Sequence, residues 1–410
     1  MYKQYFVVLI FLFFFSALCT AQSKLKTGIW WGGLKTSSGN ELPFNFEVKE
    51  VDGKQQLAII NGFERFKVTD ISQKDDSVFI HMPLFNSEFK LKFNGDVLKG
   101  KWIKHLGDKD ATMDFIAVPG QAWRFSNTTE KPALNITGRW SAVFGEGASK
   151  DITVGEFKQI GSKVTGTFLT TTGDYRYLEG QVVKDKLYLS TFDGGHAFLF
   201  TATIKSDNTM VDGKFYSGYS GLDKWTAVKN ANAKLPDAYS LTYLKPGYKK
   251  IAFTFPDING KKVSLTDEQF KGKVVIVQIM GSWCPNCMDE TSYLVNYYKK
   301  FHPKGVEIVG LAYERTTNFA KSKPTLEQLK NRFNIPYPLL ITGYTPTGGD
   351  PQKSLPMLAD FKGFPTTIII DKNGDVRKIH TGFSGPGTGK YFSDFVTEFD
   401  KLTNDLLAEK

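Results

Sequence analysis

Cysteine is scarce in this chain: three residues in 410, at positions 19, 284 and 287. So few thiols exclude a disulfide-stapled scaffold, and a chain of this length can bury a core without one. The histidines (His81, His105, His196, His302, His380) share no ligand spacing, and no second Cys-x-x-Cys accompanies the first. A structural zinc ion wants about four ligands, so no metal is expected. Charge of one sign is not concentrated either: 52 Lys+Arg stand against 42 Asp+Glu, a net +10 spread along the chain. No basic block is interleaved with aromatic residues, which argues against nucleic acid and leaves solubility and mild attraction to an anionic envelope. Long hydrophobic runs are also missing, for the apolar stretch at residues 5–18 is too short to span a bilayer comfortably.

That stretch follows Met1-Tyr2-Lys3-Gln4 and leads into Cys19-Thr20-Ala21, the layout of a secretory signal peptide over residues 1–21. Cleavage after Ala21 would leave Gln22 first and a mature chain whose only cysteines are Cys284 and Cys287. Cys19 could instead be the acylated residue of a lipoprotein, and an uncleaved anchor is a third form. Leu18 suits lipidation poorly, so a soluble protein exported to the periplasm or cell envelope is expected ahead of both.

What the chain does have is a pair of thiols in a telling place. The apolar run Val274-Val275-Ile276-Val277-Gln278-Ile279-Met280 passes through Gly281-Ser282 into Trp283-Cys284-Pro285-Asn286-Cys287. A strand followed by Cys-x-x-Cys puts both thiols at the start of a helix. There the free N–H groups and the helix dipole favour a thiolate at the first cysteine. The second, one turn on, is placed to attack a mixed disulfide. Redox chemistry is therefore expected at Cys284 and Cys287, the alternatives being a zinc half-site or a chance pair. Further on, Phe364-Pro365-Thr366-Thr367-Ile368-Ile369-Ile370 reads as a proline entering a β-branched strand, closed by the turn at Asn373-Gly374.

Together these residues resemble the thioredoxin superfamily, and more closely its TlpA/ResA-like thiol–disulfide oxidoreductases, over about residues 240–410. The resemblance is carried by Phe253-Thr254-Phe255-Pro256-Asp257, Gly272-Lys273-Val274, the Trp-Cys-Pro-x-Cys motif, Glu290 and Gly363-Phe364-Pro365-Thr366. It implies that Pro365 is cis, lies against the cysteine pair and helps hold an extended client backbone, with Phe364 beside that chain. The reading without the resemblance is an ordinary trans proline on an edge strand. Trp283 would be both a packing residue and a surface beside the thiols, and Pro285 and Asn286 would tune the reduction potential. One departure stands out: many thioredoxins carry a buried Asp six residues before the first cysteine, where this chain has Gln278, which cannot titrate. Glu290 matches an acidic residue of ResA-like proteins and is the candidate proton handler, or else a solvated helix carboxylate. A related peroxidase would place Pro and Thr where this chain has Val277 and Gly281, so peroxidase activity is not expected. Residues 314–358 are longer than a minimal domain needs. Thr325-Leu326-Glu327-Gln328-Leu329-Lys330 reads as helix, and the Gly/Pro-rich remainder reads as a loop that could border the site.

Ahead of this domain lie two segments that resemble each other. Thr27-Gly28-Ile29-Trp30 and Thr137-Gly138-Arg139-Trp140 open them, about 110 residues apart, a spacing suited to a duplicated small domain. Phe44, Phe46 and Val48 alternate with polar residues, as do Phe89, Leu91 and Phe93, then Tyr175 and Tyr177, then Phe198, Phe200 and Ala202. Turn pairs separate the runs into about eight strands per copy, which points to antiparallel meanders or small barrels. The Gly-x-Trp opening resembles calycin barrels faintly. Inward-facing aromatics could line a ligand pocket, though small barrels are commonly filled by their own side chains. The modules could also dock the enzyme on a partner.

The expected architecture is thus a leader at 1–21, β modules at 22–125 and 126–234, and a thioredoxin-like α/β domain at 235–410. The expected activity is reduction of disulfide-containing client proteins in the envelope, with no cofactor in this chain. Another dithiol protein, expected at the membrane, would restore the reduced pair. A ligand- or partner-binding β protein with an accessory redox domain is the competing class, and an oxidant that forms disulfides is the competing direction.

Overall fold

The computed structural model describes residues 25–409 apart from 108, 129, 133, 148, 149 and 207. The expected leader lies outside the described residues. The first barrel contains strands β1 (Gly28–Lys35), β2 (Glu41–Val51), β3 (Lys54–Asn61), β4 (Glu64–Val68), β5 (Asp70–Lys74), β6 (Ser77–His81), β7 (Ser87–Asn94), β8 (Val97–His105) and β9 (Asp110–Pro119). Apart from β4 and β5, consecutive strands pair antiparallel, and β9 returns to β1. Only Thr69 separates β4 from β5; together they act as one strand between β3 and β6. The sheet therefore closes as an eight-stranded up-and-down barrel, leaving no long free edge. A second barrel, from Gly138–Phe144 to Gly221–Lys229, repeats this order and closes where those two strands pair.

The duplication reaches down to single hydrogen bonds. Gly28 and Gly138 both adopt positive φ (112° and 120°), a conformation glycine takes at little cost. Two residues on, Trp30 and Trp140 each donate an indole N–H to the carbonyl four residues earlier, at 2.8 and 2.9 Å.

Period-2 alternation sends Phe44, Phe46 and Val48 into the first barrel's core. The void left inside is about 10 Å³, room for roughly one water, so the aromatics fill the barrel and line no ligand chamber. A residue of the second barrel completes the packing. The Phe192 ring stacks on Phe44 at 4.4 Å and meets Trp102 edge-on at 5.6 Å. Asn61 brackets the Phe192 backbone, donating to its O at 2.8 Å and accepting from its N–H at 3.3 Å. Burial of one such ring stabilises the contact by about 2 kcal/mol. In the segment joining the barrels, the buried Arg124 donates to Ser190 O at 3.1 Å and to Ile60 O.

One expected strand is absent. Tyr175 and Tyr177 alternate in sequence, yet residues 175–177 form no strand, because Arg176 holds φ +55°. That turn aims the Arg176 side chain out of the barrel.

The C-terminal domain is a thioredoxin-like α/β unit. Its sheet runs in the order Leu339–Ile341, Val306–Ala312, Val274–Met280, Thr366–Ile370, Val376–Thr381, the first three strands parallel and the last two antiparallel to their neighbours. Every residue of Val274–Met280 is buried, as expected of a central strand covered on both faces. Val274, Ile276 and Met280 pack with helix α1 (Pro285–Phe301), whereas Val275, Val277 and Ile279 pack with Phe253 and Tyr313. Helix α2 (Phe319–Phe333) starts six residues before the expected Thr325. Asn318 caps it by accepting from Lys321 N–H at 3.2 Å, and the helix runs through Pro324 at the loss of one backbone bond. A short α3 (Asp350–Ser354) interrupts the expected loop, and α4 (Lys390–Ala408) covers α1. No described helix is long and apolar enough to cross a membrane.

Candidate active site

Strand Val274–Met280 delivers the chain to Cys284, which is the N-cap of α1, and Pro285 occupies the first turn, where a missing N–H is harmless. The Cys284 sulfur accepts from Cys287 N–H at 3.2 Å, so a thiolate there would receive a helix N-terminal donor directly. Cys284 and Cys287 are disulfide-bonded, with Cα atoms 5.2 Å apart. Cys287 is fully buried and Cys284 is 4% exposed, so Cys284 is the outer of the two.

Gln278 lies on the α1 side of the strand by the same period-2 rule. Its amide donates to Glu290 Oε2 at 2.8 Å and to Cys287 O at 3.3 Å, and its oxygen accepts from Thr291 at 3.1 Å. Thr367 donates to the other Glu290 oxygen at 2.6 Å. Glu290 is 1% exposed and therefore no solvated surface carboxylate. Burial pushes its carboxyl up to about 7, against the hydrogen bonds from Thr367 and Gln278, which pull it down. A buried carboxyl thus stands on the helix beside the strand, with Gln278 as its hydrogen-bonding neighbour.

The Phe364–Pro365 bond is cis. Thr366 pairs with Ile279 in the sheet, which brings Pro365 to the end of the central strand where the cysteine loop begins. Phe364 meets Trp283 edge-on at 5.3 Å and Tyr313 at 5.7 Å. The Trp283 indole N–H donates to Tyr313 O at 2.8 Å, which fixes the ring that precedes Cys284.

Sequence reasoning missed the second barrel's part in this site. Oriented by its neighbours, the Asn286 amide donates to Asp174 O at 3.0 Å and accepts from Asp174 N–H at 3.2 Å. The Asp174 carboxylate accepts from Gly385 N–H at 2.8 Å. The approach is close enough to demand glycine: a Cβ on Gly173 would sit 2.1 Å from the Asn286 amide, and one on Gly363 would sit 2.6 Å from the Thr172 methyl. Just beyond, the largely enclosed Arg176 binds Glu64 of the first barrel at 2.5 Å and Asp289 of α1 at 3.1 Å. Burial pushes Asp289 up to about 7, opposed by Arg176 and reinforced by Asp174, Glu64 and Asp193. No local sequence signal ties residues 170–174 to residue 286.

Residues 233–395 match the family described as Redoxin. The thiol-disulfide oxidoreductase ResA of Bacillus subtilis (strain 168) is 32% identical over 130 residues, which cover 32% of this chain and 64% of that protein. ResA of Geobacillus thermodenitrificans (strain NG80-2) is 32% identical over 130 residues, covering 32% and 66%. The match therefore spans less than two thirds of these relatives. Among solved structures, the thioredoxin domain of a thiol-disulfide oxidoreductase from Bacteroides vulgatus is 28% identical, covering 38% of this chain and 99% of that one, with a TM-score of 0.28.

Proposed function

We propose that this chain, whose C-terminal region is a Redoxin/ResA-like thiol–disulfide oxidoreductase domain, reduces disulfides of exported client proteins through Cys284 and Cys287. The observation that carries this reading is the position of Cys284 as N-cap of α1 with Cys287 one turn on and Glu290 buried beyond it. The Cys284 thiolate attacks one sulfur of the client disulfide, and the other client sulfur leaves as a thiolate that takes a proton. Cys287 gives up its proton and attacks the Cys284 sulfur, releasing the second client thiolate. Two electrons pass from the dithiol to the client, and the Cys284–Cys287 disulfide remains. Phe364 and cis Pro365 would hold the client backbone, and Trp283 would border it. Pro285 and Asn286 would set the potential, and a membrane dithiol protein would return the electrons. The first barrel, filled by its own side chains, favours this enzyme over a ligand-binding β protein.

The deciding measurement is the reduction potential of the pair, followed by fluorescence in graded thiol buffers. A value near about −270 mV is expected for a reductase, and one near about −120 mV would mark an oxidant instead.

Glu290 is proposed to accept the Cys287 proton. The wild-type resolving rate should rise with pH through about 7, where Glu290 ionises. Glu290→Gln should lose that inflection and slow the step by roughly 10²-fold. Because the Glu290 pKa is raised on folding, its stabilising contribution is full below the unfolded value of 4.5 and is lost as pH rises through about 7. The Gln variant should therefore gain stability relative to wild type across that window. A slow variant that keeps the inflection would assign the proton to another group.

A further inference from the structure

Where the first barrel meets the redox domain, a cavity of about 450 Å³ reaches Trp283, the residue before Cys284. Phe85 and Lys104 face it from the barrel, and Ser282, Glu314 and Arg315 from the redox domain. The opposite flank of the dithiol, at Asn286 and Gly363, is covered by the second barrel. The Trp283 flank is where a client segment finds room.

The cavity carries two cations, Arg315, which feels the neighbouring Glu314, and Lys104, which feels Asp193. Arg315 stacks its guanidinium over the Trp283 ring at 5.1 Å, and no described hydrogen bond or ion pair uses its N–H donors. Glu314, next to it, is already engaged: it accepts from Ser282 N–H at 2.8 Å, Ser282 Oγ at 2.7 Å and Thr325 at 3.4 Å. Lys104 is buried and reaches Gly195 O of the second barrel. Burial lowers its pKa to about 8, Asp193 opposes that, and Arg315 lowers it further, so the two cations feel each other across the cavity. A planar guanidinium with uncommitted donors suits a carboxylate, which it can bind through two parallel hydrogen bonds.

We propose that this cavity is an anion subsite that takes a carboxylate of the disulfide-bearing substrate, with Arg315 as the fork, Lys104 as a fixed second charge and Trp283 as the wall toward Cys284. The proposal rests on the redox reading above and names its substrate class: disulfides flanked by acidic groups. Two sources carry that chemistry, an acidic segment of a protein client and a small disulfide such as oxidised glutathione.

The test uses the full mature chain and Arg315→Gln, with Lys101→Gln on the exposed face of the first barrel as control. Reduction of a disulfide peptide with flanking Asp residues, its Asn counterpart and oxidised glutathione is compared. Binding of a cysteine-free Asp peptide to the oxidised protein is measured by calorimetry. Arg315→Gln should lower kcat/KM for an acidic substrate about tenfold or more, through KM, and leave the Asn peptide within about twofold. It should also weaken the cysteine-free Asp peptide or oxidised glutathione to a similar degree, with the control unchanged. Dependence confined to glutathione identifies a small-molecule substrate, and dependence confined to the peptide identifies a protein client; either supports the subsite. Equal rates for Asp and Asn peptides together with Arg315-independent binding of both acidic probes would overturn it. If no disulfide is reduced, the redox reading fails while the binding arm still decides the subsite.

Discussion

Cys287→Ser is expected to stop turnover and leave the protein joined to its client through Cys284. The wild-type resolving thiol sits in the first turn of α1, with its backbone N–H on the Cys284 sulfur. Attack within one turn of helix replaces a bimolecular collision. Well-oriented intramolecular reactions reach effective molarities of about 10⁵ M or more, so losing this one should slow release by roughly 10³-fold or more even with millimolar external thiol. Non-reducing gels of the variant incubated with a disulfide client should show the mixed disulfide, which added dithiol dissolves. Cys284→Ser should give neither turnover nor adduct. Normal turnover by either variant would sink the assigned roles.

Arg176→Met should be the most destabilising single change outside the barrel cores. Arg176 is largely enclosed between Glu64 of β4 and Asp289 of α1, and so joins all three domains. Removing one partner from a fully buried charged network costs about 3–5 kcal/mol, because the remaining charges stay unpaired, and this partly exposed one should cost less. The cost has a pH signature. Asp289 already has its pKa raised to about 7 by burial, with Arg176 acting against the rise. Without Arg176 that pKa moves higher still. A raised carboxyl pKa means stability that is full below the unfolded value of 3.8 and lost as pH climbs through the folded value. The variant should therefore lose more at pH 8, where Asp289 must ionise unpaired or stay protonated at a cost, than at pH 5, where it is already neutral. Urea unfolding at both pH values measures this, and Arg176→Lys should restore part of the difference. Equal losses at the two pH values would show that Asp289 is not the group Arg176 serves.

The parts of this molecule legible in its sequence are those encoded locally. Cys284, Pro285 and Cys287 announce a strand-to-helix junction within a few residues, and Phe364-Pro365 announces its turn in the same way. The barrels show in alternating Phe44, Phe46 and Val48, and in the paired Gly-x-Trp openings. Glu290 was visible as a candidate, but its burial was not, since that depends on Thr367 and Gln278 arriving from two different strands. Least legible were the junctions between domains. Arg176 and Glu64 lie 112 residues apart in sequence, and no period links positions that meet only after three domains pack. Tyr175 and Tyr177 misled for the same reason: their alternation mimics a strand, whereas Arg176 between them has left the sheet to serve a partner elsewhere.

The bracket that Asp174 places on Asn286 binds the barrel to the dipeptide between the two sulfurs. Docking and oxidation then form a thermodynamic cycle, and the coupling runs equally in both directions. Any difference in docking strength between the dithiol and the disulfide appears in the electron affinity of the pair, at about 30 mV for each 1.4 kcal/mol. If docking differs between the two states, the redox domain cut free of its barrels has a different potential from the three-domain chain.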